Sequence, residues 1–257
     1  MRAMNDTTTP AASGTLDEAE VARFAAMAHE WWDPQGKFRP LHALNPTRLS
    51  FIRDQVCTHF GRGDRAIRPF EGLAIADIGC GGGLLCEPMA RLGAHVTGLD
   101  PAEDSIKAAH THANAQGLEI DYRAERAEDM AERGTTFDIV IAMEVVEHVP
   151  DVPAFIKVAS SLVAPGGLLL LSTINRTVKS YALAIVGAEF VLRWLPVGTH
   201  RWDRFVMPDE LAAACGHAGL SESARKGMVF NPLTSSWHIS EDTDVNYLLA
   251  ATKPVAS

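Results

Sequence analysis

Cysteine, positive charge, uninterrupted apolar runs and internal repeats are all scarce in this 257-residue chain, and each scarcity excludes something. The four cysteines, Cys57, Cys80, Cys86 and Cys215, form no C-x-x-C pair and no zinc-ligand spacing. That excludes a disulfide framework or a zinc module and points to reduced thiols in a cytosolic protein. Lys and Arg number 23 against 32 Asp and Glu, a formal net charge of −9. The basic surface that neutralises nucleic-acid phosphates is therefore missing, and no nucleic acid is expected as a partner, although a local basic patch stays open. The first 15 residues, MRAMNDTTTPAASGT, are polar and lack an apolar h-region. They read as a disordered tail rather than a secretory signal.

What is present is ordinary globular composition, 47% apolar and 21% charged, in a length suited to one large α/β domain over residues 16–257. Residues 16–62 read as helices. The first is LDEAEVARFAAMAHEWW, ended by Asp33-Pro34 and Gly36; the second is entered at Asn45-Pro46, with Asn as cap and Pro in the first turn. From residue 73, strands at 73–79, 95–100, 119–124, 137–143 and 168–173 alternate with helical patterns at 83–92, 102–115, 126–133 and 153–163. Short apolar strands separated by helices predict a parallel sheet covered on both faces. After this core (73–174) come an insert (175–205) and a C-terminal part (206–257). The latter holds a helix after Met207-Pro208 and strand-like pieces near 222–230 and 244–251. The expected fold is thus a mostly parallel, seven-stranded sheet with helices on both faces and an N-terminal helical extension.

The most informative stretch is ADIGCGGGLL, Ala76 to Leu85, a strand ending in a loop with Gly79, Gly81, Gly82 and Gly83. Glycine lets a chain turn sharply and lets a ligand approach where a Cβ would collide. A dinucleotide fingerprint G-x-G-x-x-G needs its third glycine at position 84 or 86, which hold Leu84 and Cys86. The pattern present is D-x-G-x-G-x-G, Asp77 to Gly83, which disfavours a dehydrogenase. It resembles the first motif of the Rossmann-like class I S-adenosylmethionine-dependent methyltransferases. Asp100, ending strand 2, lies 21 residues after Gly79, where a carboxylate can accept ribose hydroxyls. In RAERAEDM the position where such enzymes often carry an acid near the adenine is Arg126, leaving Ala127 and Glu128 to line that pocket through backbone groups.

Four further stretches are more specific: HEWWDPQGKFRPLHALNPTRLSFI before the core, MEVVEHVPD after strand 4, STINRTVKSYALAIVGAEFVLRWLPVGTH after strand 5, and DVNYLL near the end. Together they closely resemble the ubiquinone biosynthesis O-methyltransferases, from about residue 19 to residue 252. The resemblance implies S-adenosylmethionine as cofactor, with Arg48 reaching it, Gly79 as first loop glycine, Asp100 as ribose acid and Met143 beside the adenosine. It also implies O-methylation of polyprenylated catechol-type intermediates, 2-polyprenyl-6-hydroxyphenol and 3-demethylubiquinol. The other enzymes of that pathway are possible partners. A nucleic-acid amino-methyltransferase is disfavoured, because Glu144-Val145-Val146-Glu147 stands where an Asn/Asp-Pro-Pro-Tyr-like motif would. Another small-molecule methyltransferase and a non-enzymatic cofactor-binding scaffold are the alternatives.

Methylating a phenol requires its deprotonation, since a Tyr-like phenol has a pKa of about 10. A general base or a metal that stabilises the oxyanion can supply it. Glu144, Glu147 and His148 stand at i, i+3 and i+4 and would project from one side of a helical turn. Two carboxylates and an imidazole suit a divalent ion such as Mg²⁺, which the family is similar in using at matching positions. His148 is then ligand or catalytic base. In the alternative, Glu147 caps the next helix and His148 packs under the cofactor.

SYALAIVGAEFVLRWLP, Ser180 to Pro196, is the one long apolar run. As a helix it would be about 25 Å long, with Glu189 and Arg193 forming a narrow polar strip opposite Leu183, Val186, Phe190 and Trp194. Charge interrupts it, and a span takes about 20 apolar residues, so it does not read as transmembrane. Between Asn175 and Phe205, Arg176, Lys179, Arg193, Arg201 and Arg204 outnumber Glu189 and Asp203. A basic, aromatic, apolar segment suits an anionic bilayer surface. The readings are a lid over the substrate pocket, a buried cap, and a peripheral contact with the inner face of the membrane from the cytoplasm.

Overall fold

Eight strands form one sheet in the order β3-β2-β1-β4-β5-β8-β6-β7 in the computed structural model, which describes residues 15, 17–63, 65–182 and 202–255. The strands are β1 (Ala74–Ile78), β2 (His95–Leu99), β3 (Asp121–Arg123), β4 (Phe137–Met143), β5 (Val163–Ile174), β6 (Ser221–Asn231), β7 (Ser236–Ser240) and β8 (Asn246–Thr252). The first five are parallel, and β8, β6 and β7 continue the sheet antiparallel. The expectation of seven strands is corrected by β7. Its SWHIS is short and mostly polar, and it becomes a strand by pairing with β6 across the turn at 232–235.

Inner strands alternate between two covered faces, as a period of two requires. Ile75, Ile139, Ile141, Leu168, Leu170 and Leu248 pack toward α2 (Arg39–His59), α3 (Cys86–Arg91) and α4 (Glu103–Ala115). Ala76, Ile78, Val140, Leu169, Leu171 and Leu249 pack toward α5 (Ala127–Glu132), α6 (Val152–Leu162) and α8 (Pro208–His217). A third cluster, Ala28, Trp31, Phe38 and Leu84, seats the N-terminal segment on the glycine loop.

α1 (Glu18–Ala26) is capped by Asp17, whose side chain accepts from the backbone N–H groups of Ala19 and Glu20. The second helix departs from expectation. α2 starts at Arg39 and runs through Pro46. Asn45 caps nothing; its Nδ2 donates to the Leu84 carbonyl at 2.9 Å and so ties α2 to the glycine loop. Of the expected tail, only Thr15 lies within the described residues. The apolar run is described as far as residue 182, beginning with the short helical turn α7 (Val178–Ser180), and its stretch 183–196 lies outside them. No described helix is long and apolar enough to cross a membrane.

Candidate active site

The glycine loop leaves β1 with Gly79, Gly81 and Gly83 at φ of 70°, 53° and 86°. These are left-handed values that cost a side chain strain. Space forbids one as well: a Cβ on Gly81 or Gly82 would come within 2.4 Å of Trp31, and one on Gly79 within 2.7 Å of Val145. Trp31 is fixed by stacking on Phe38 (3.6 Å between centroids) and by donating Nε1 to Ser105 Oγ at 3.1 Å. The adjacent Trp32 donates Nε1 to the Gly82 carbonyl at 2.9 Å and stacks on His112. The WW pair therefore clamps the loop from outside.

Asp100 accepts from the Gly81 and Ala102 N–H groups at 2.9 and 2.8 Å. Each oxygen keeps lone pairs for a further donor. Beneath the loop Asp77 is fully buried, and burial pushes its carboxyl up to about 7. The Cys86 thiol, donating to it at 3.2 Å, only partly opposes this, and the Asp100 charge adds to it. Burial pushes the Cys80 thiol up to about 11, so it stays a thiol, and all four cysteines are free.

One cavity of about 830 Å³ runs from this loop across the carboxyl ends of the strands. Arg48, Gly79, Asp100, Met143, Glu144, Glu147 and His148 all line it, together with Arg126, Ala127 and Glu128. Arg48 is 3% exposed, with Nη2 3.4 Å from Glu144 Oε1. Its Nε and Nη2 have no hydrogen-bond partner. A buried guanidinium with idle donors is complementary to a carboxylate placed in the cavity.

Glu144, Glu147 and His148 do not lie on one side of a helical turn. Glu144 sits in the left-handed region at φ 56°, and the following residues make a 3-10 turn, Val146–His148. Each side chain has its own partner. Glu144 Oε1 accepts from Ser172 Oγ at 2.6 Å, Glu147 Oε2 from Thr173 Oγ1 at 2.7 Å, and His148 Nδ1 faces Glu20 Oε2 at 2.8 Å. No three acidic, imidazole or thiol groups among the described residues form a metal-binding cluster, so the magnesium site expected of Glu144, Glu147 and His148 is not gathered there. Burial, reinforced by the Glu144 charge, pushes Glu147 up to about 7. Burial pulls His148 down, but the hydrogen bond to Glu20 and the Glu147 charge outweigh it and leave it raised.

Glu20, Ser172 and Thr173 carry no signal that would single them out in the sequence. Glu20 is one of several acids on an amphipathic helix, and the hydroxyls sit in a strand. The pairing of β5 with β4 brings Ser172 and Thr173 to the turn after β4, and the packing of α1 brings Glu20 there.

A glycine loop at the end of β1, an acid at the end of β2 and a parallel sheet extended by antiparallel strands define a class I S-adenosylmethionine-dependent methyltransferase. A family model described as methyltransferase domain matches residues 62–221. The magnesium protoporphyrin IX methyltransferase of Synechocystis PCC 6803 with bound SAH has a similar fold. Its TM-score is 0.65 at 20% identity, covering 92% of this chain and 100% of that one. The ubiquinone biosynthesis O-methyltransferase of Chelativorans sp. (strain BNC1) is 58% identical over 242 residues, 94% of this chain and 96% of its own. That of Azorhizobium caulinodans is 57% identical over 238 residues, covering 93% and 94%. The chain belongs to the ubiquinone biosynthesis O-methyltransferase family.

Proposed function

We propose that this enzyme methylates a catechol-type hydroxyl of polyprenylated intermediates in ubiquinone biosynthesis, 2-polyprenyl-6-hydroxyphenol and 3-demethylubiquinol, and that His148 is its general base. The observation that carries this reading is the single cavity shared by the cofactor residues and the turn bearing His148. When bound, S-adenosylmethionine supplies a methyl group activated on a sulfonium. Arg48 pairs with its carboxylate, Asp100 accepts its ribose hydroxyls, Gly79 permits close backbone approach, and Met143 packs beside its adenosine. Val21 and Phe24 of α1, with Met27 just after it, line the cavity and exclude water from the reacting groups.

The phenol must lose its proton before its oxygen attacks. Glu20 holds His148 Nδ1, and the edge of the His148 ring stands on Phe24 with centroids 5.5 Å apart. That leaves Nε2 as the proton acceptor and fixes the ring's orientation. The Glu20 contact orients the ring for either role, and the base role is the one proposed. A magnesium ion is the finer question: Ser172, Thr173 and Glu20 each engage only one side-chain atom of Glu144, Glu147 and His148, and no step is routed through the ion.

A labelled-methyl assay on a demethylated quinol and a prenylated catechol, with and without Mg²⁺ or EDTA, tests the proposal. Transfer to both acceptors is expected, with a loss of 10²-fold or more in His148→Ala. Cofactor binding without transfer to either acceptor would leave the scaffold reading. Loss of activity in EDTA restored by Mg²⁺ would assign the turn to a metal instead.

Membrane contact through residues 175–205 is proposed as a separate point. Val178, Tyr181 and Trp202 are exposed at its described ends. The described cations are already paired: Arg176 with Glu210, Lys179 with Asp242 and Asp244, and Arg204 with Asp17. Attraction to anionic lipid therefore rests on the exposed apolar groups and on Arg193 and Arg201, which lie outside the described residues. Unchanged liposome sedimentation after deletion of 175–205, in a variant that still folds, would refute it.

A further inference from the structure

The cavity is lined beyond the cofactor and His148 residues, and its far end has a different chemistry. Beyond Met143 and His148 it continues between the first turns of α2 and the β6–β7 hairpin. There Leu44 of α2 belongs to the same core cluster as Met228, with Trp237 packed against it, and Phe230 lines the cavity beside them. Phe230 and Trp237 are cross-strand partners with ring centroids 5.4 Å apart, and both are only half-buried, so apolar surface faces the cavity. The charges at this end, Lys179 and Asp242, neutralise each other. At the hairpin tip Pro232 is exposed and lines the cavity, and next to it Leu233 is 94% exposed. An apolar path thus leads from the reacting end to the protein surface.

We infer that this groove between α2 and the β6–β7 hairpin is the subsite for the substrate's isoprenoid tail, with Phe230 and Trp237 as its specificity-determining walls. The inference rests on the proposed function and deepens it. A hydrocarbon tail attached to a phenol in the cavity needs an exit that neither displaces the cofactor nor desolvates charge. The loop end, bordered by Asp100, Arg126 and Glu128, is polar, whereas the hairpin end buries apolar surface on both sides of a tail. Burial there favours substrates in proportion to the tail length the groove covers, so the walls act on tailed substrates and not on the bare ring.

The test compares catechol with farnesylated catechol as methyl acceptors in detergent, for the wild type, Phe230→Ala and Trp237→Ala. The wild type is expected to prefer the farnesylated ring. Each substitution should lower kcat/KM for that ring about tenfold and leave catechol within about twofold. Equal losses on both acceptors, or no loss on either, would overturn the tail subsite. If the aromatic variants fail to fold, Leu233→Asp at the exposed tip serves instead, with the same selective loss expected and the same outcomes overturning it. A wild type that methylates neither acceptor while still binding the cofactor would sink the proposed function itself. That outcome is distinct from a wild type that methylates both rings equally, which sinks only the subsite.

Discussion

The two ends of the cavity are built in opposite ways. At the cofactor end most ligand-facing groups are local: loop, acid and adenine-side residues fall between Gly79 and Glu128, each after a consecutive strand, with Arg48 and Met143 joining them from α2 and β4. At the acceptor end Glu20, Glu144, His148, Ser172 and the β6–β7 hairpin converge from more than 200 residues of chain. A site built on one supersecondary unit can be read from spacing, because its geometry comes with its strands. A site assembled across helices and distant strands has no spacing to read.

The contrast can be broken most forcefully at Gly81. Gly81→Ala places a Cβ 2.4 Å from the Trp31 ring at a left-handed φ, so loop or clamp must move. We expect cofactor binding by calorimetry to be lost and stability to fall by about 2–4 kcal/mol. Retained affinity would mean the clamp is dispensable.

Asp77 tests the interior of the same end. The folded protein holds its proton up to about pH 7, while an unfolded Asp releases it near 3.8. Between those values the folded state binds more protons, so this group makes stability fall as pH rises and contributes nothing below about pH 3.8. Asp77→Asn should flatten that fall in denaturant titrations and stabilise the protein at pH 8 by roughly 2–3 kcal/mol, with no gain at pH 4.

Arg48 joins the two ends. If the proposed pairing holds, Arg48→Met should weaken S-adenosylmethionine binding about 100-fold, because the cofactor carboxylate would lose a buried cation. Glu20 sharpens the distinction further. Glu20→Gln should lower kcat about tenfold while the cofactor Kd stays within about twofold, because it loosens His148 and touches nothing at the loop. The smallest effect is expected at the insert: Arg176→Ala, breaking a half-exposed pair with Glu210, should cost under about 1 kcal/mol in thermal unfolding.

Legibility followed the same division. The strands β1, β4 and β5 were readable because both faces are covered and their apolar runs are nearly continuous, whereas β3, Asp121-Tyr122-Arg123, was placed by the strand–helix alternation around it. β7 was not, because a polar five-residue strand exists only through its pairing with β6. Asn45-Pro46 looked like a helix start because Asn caps and Pro favours a first turn; packing on the loop instead gave Asn45 the Leu84 carbonyl as its partner. The excess of positive charge in 175–205 was correct as a count. It said nothing of Glu210, Asp242, Asp244 and Asp17, which the fold brings to Arg176, Lys179 and Arg204.

Sequence alone determined the parallel core, the glycine loop and its acid, and through them the cofactor, because glycine spacing and strand ends are local constraints on the backbone. Tertiary structure alone decided what His148 touches, which hydroxyls Glu144 and Glu147 hold, and where an apolar groove leaves the cavity. Those are contacts between residues far apart in the chain. They depend on where α1, α2 and the β6–β7 hairpin come to rest on the strand ends, and packing sets that, not local propensity.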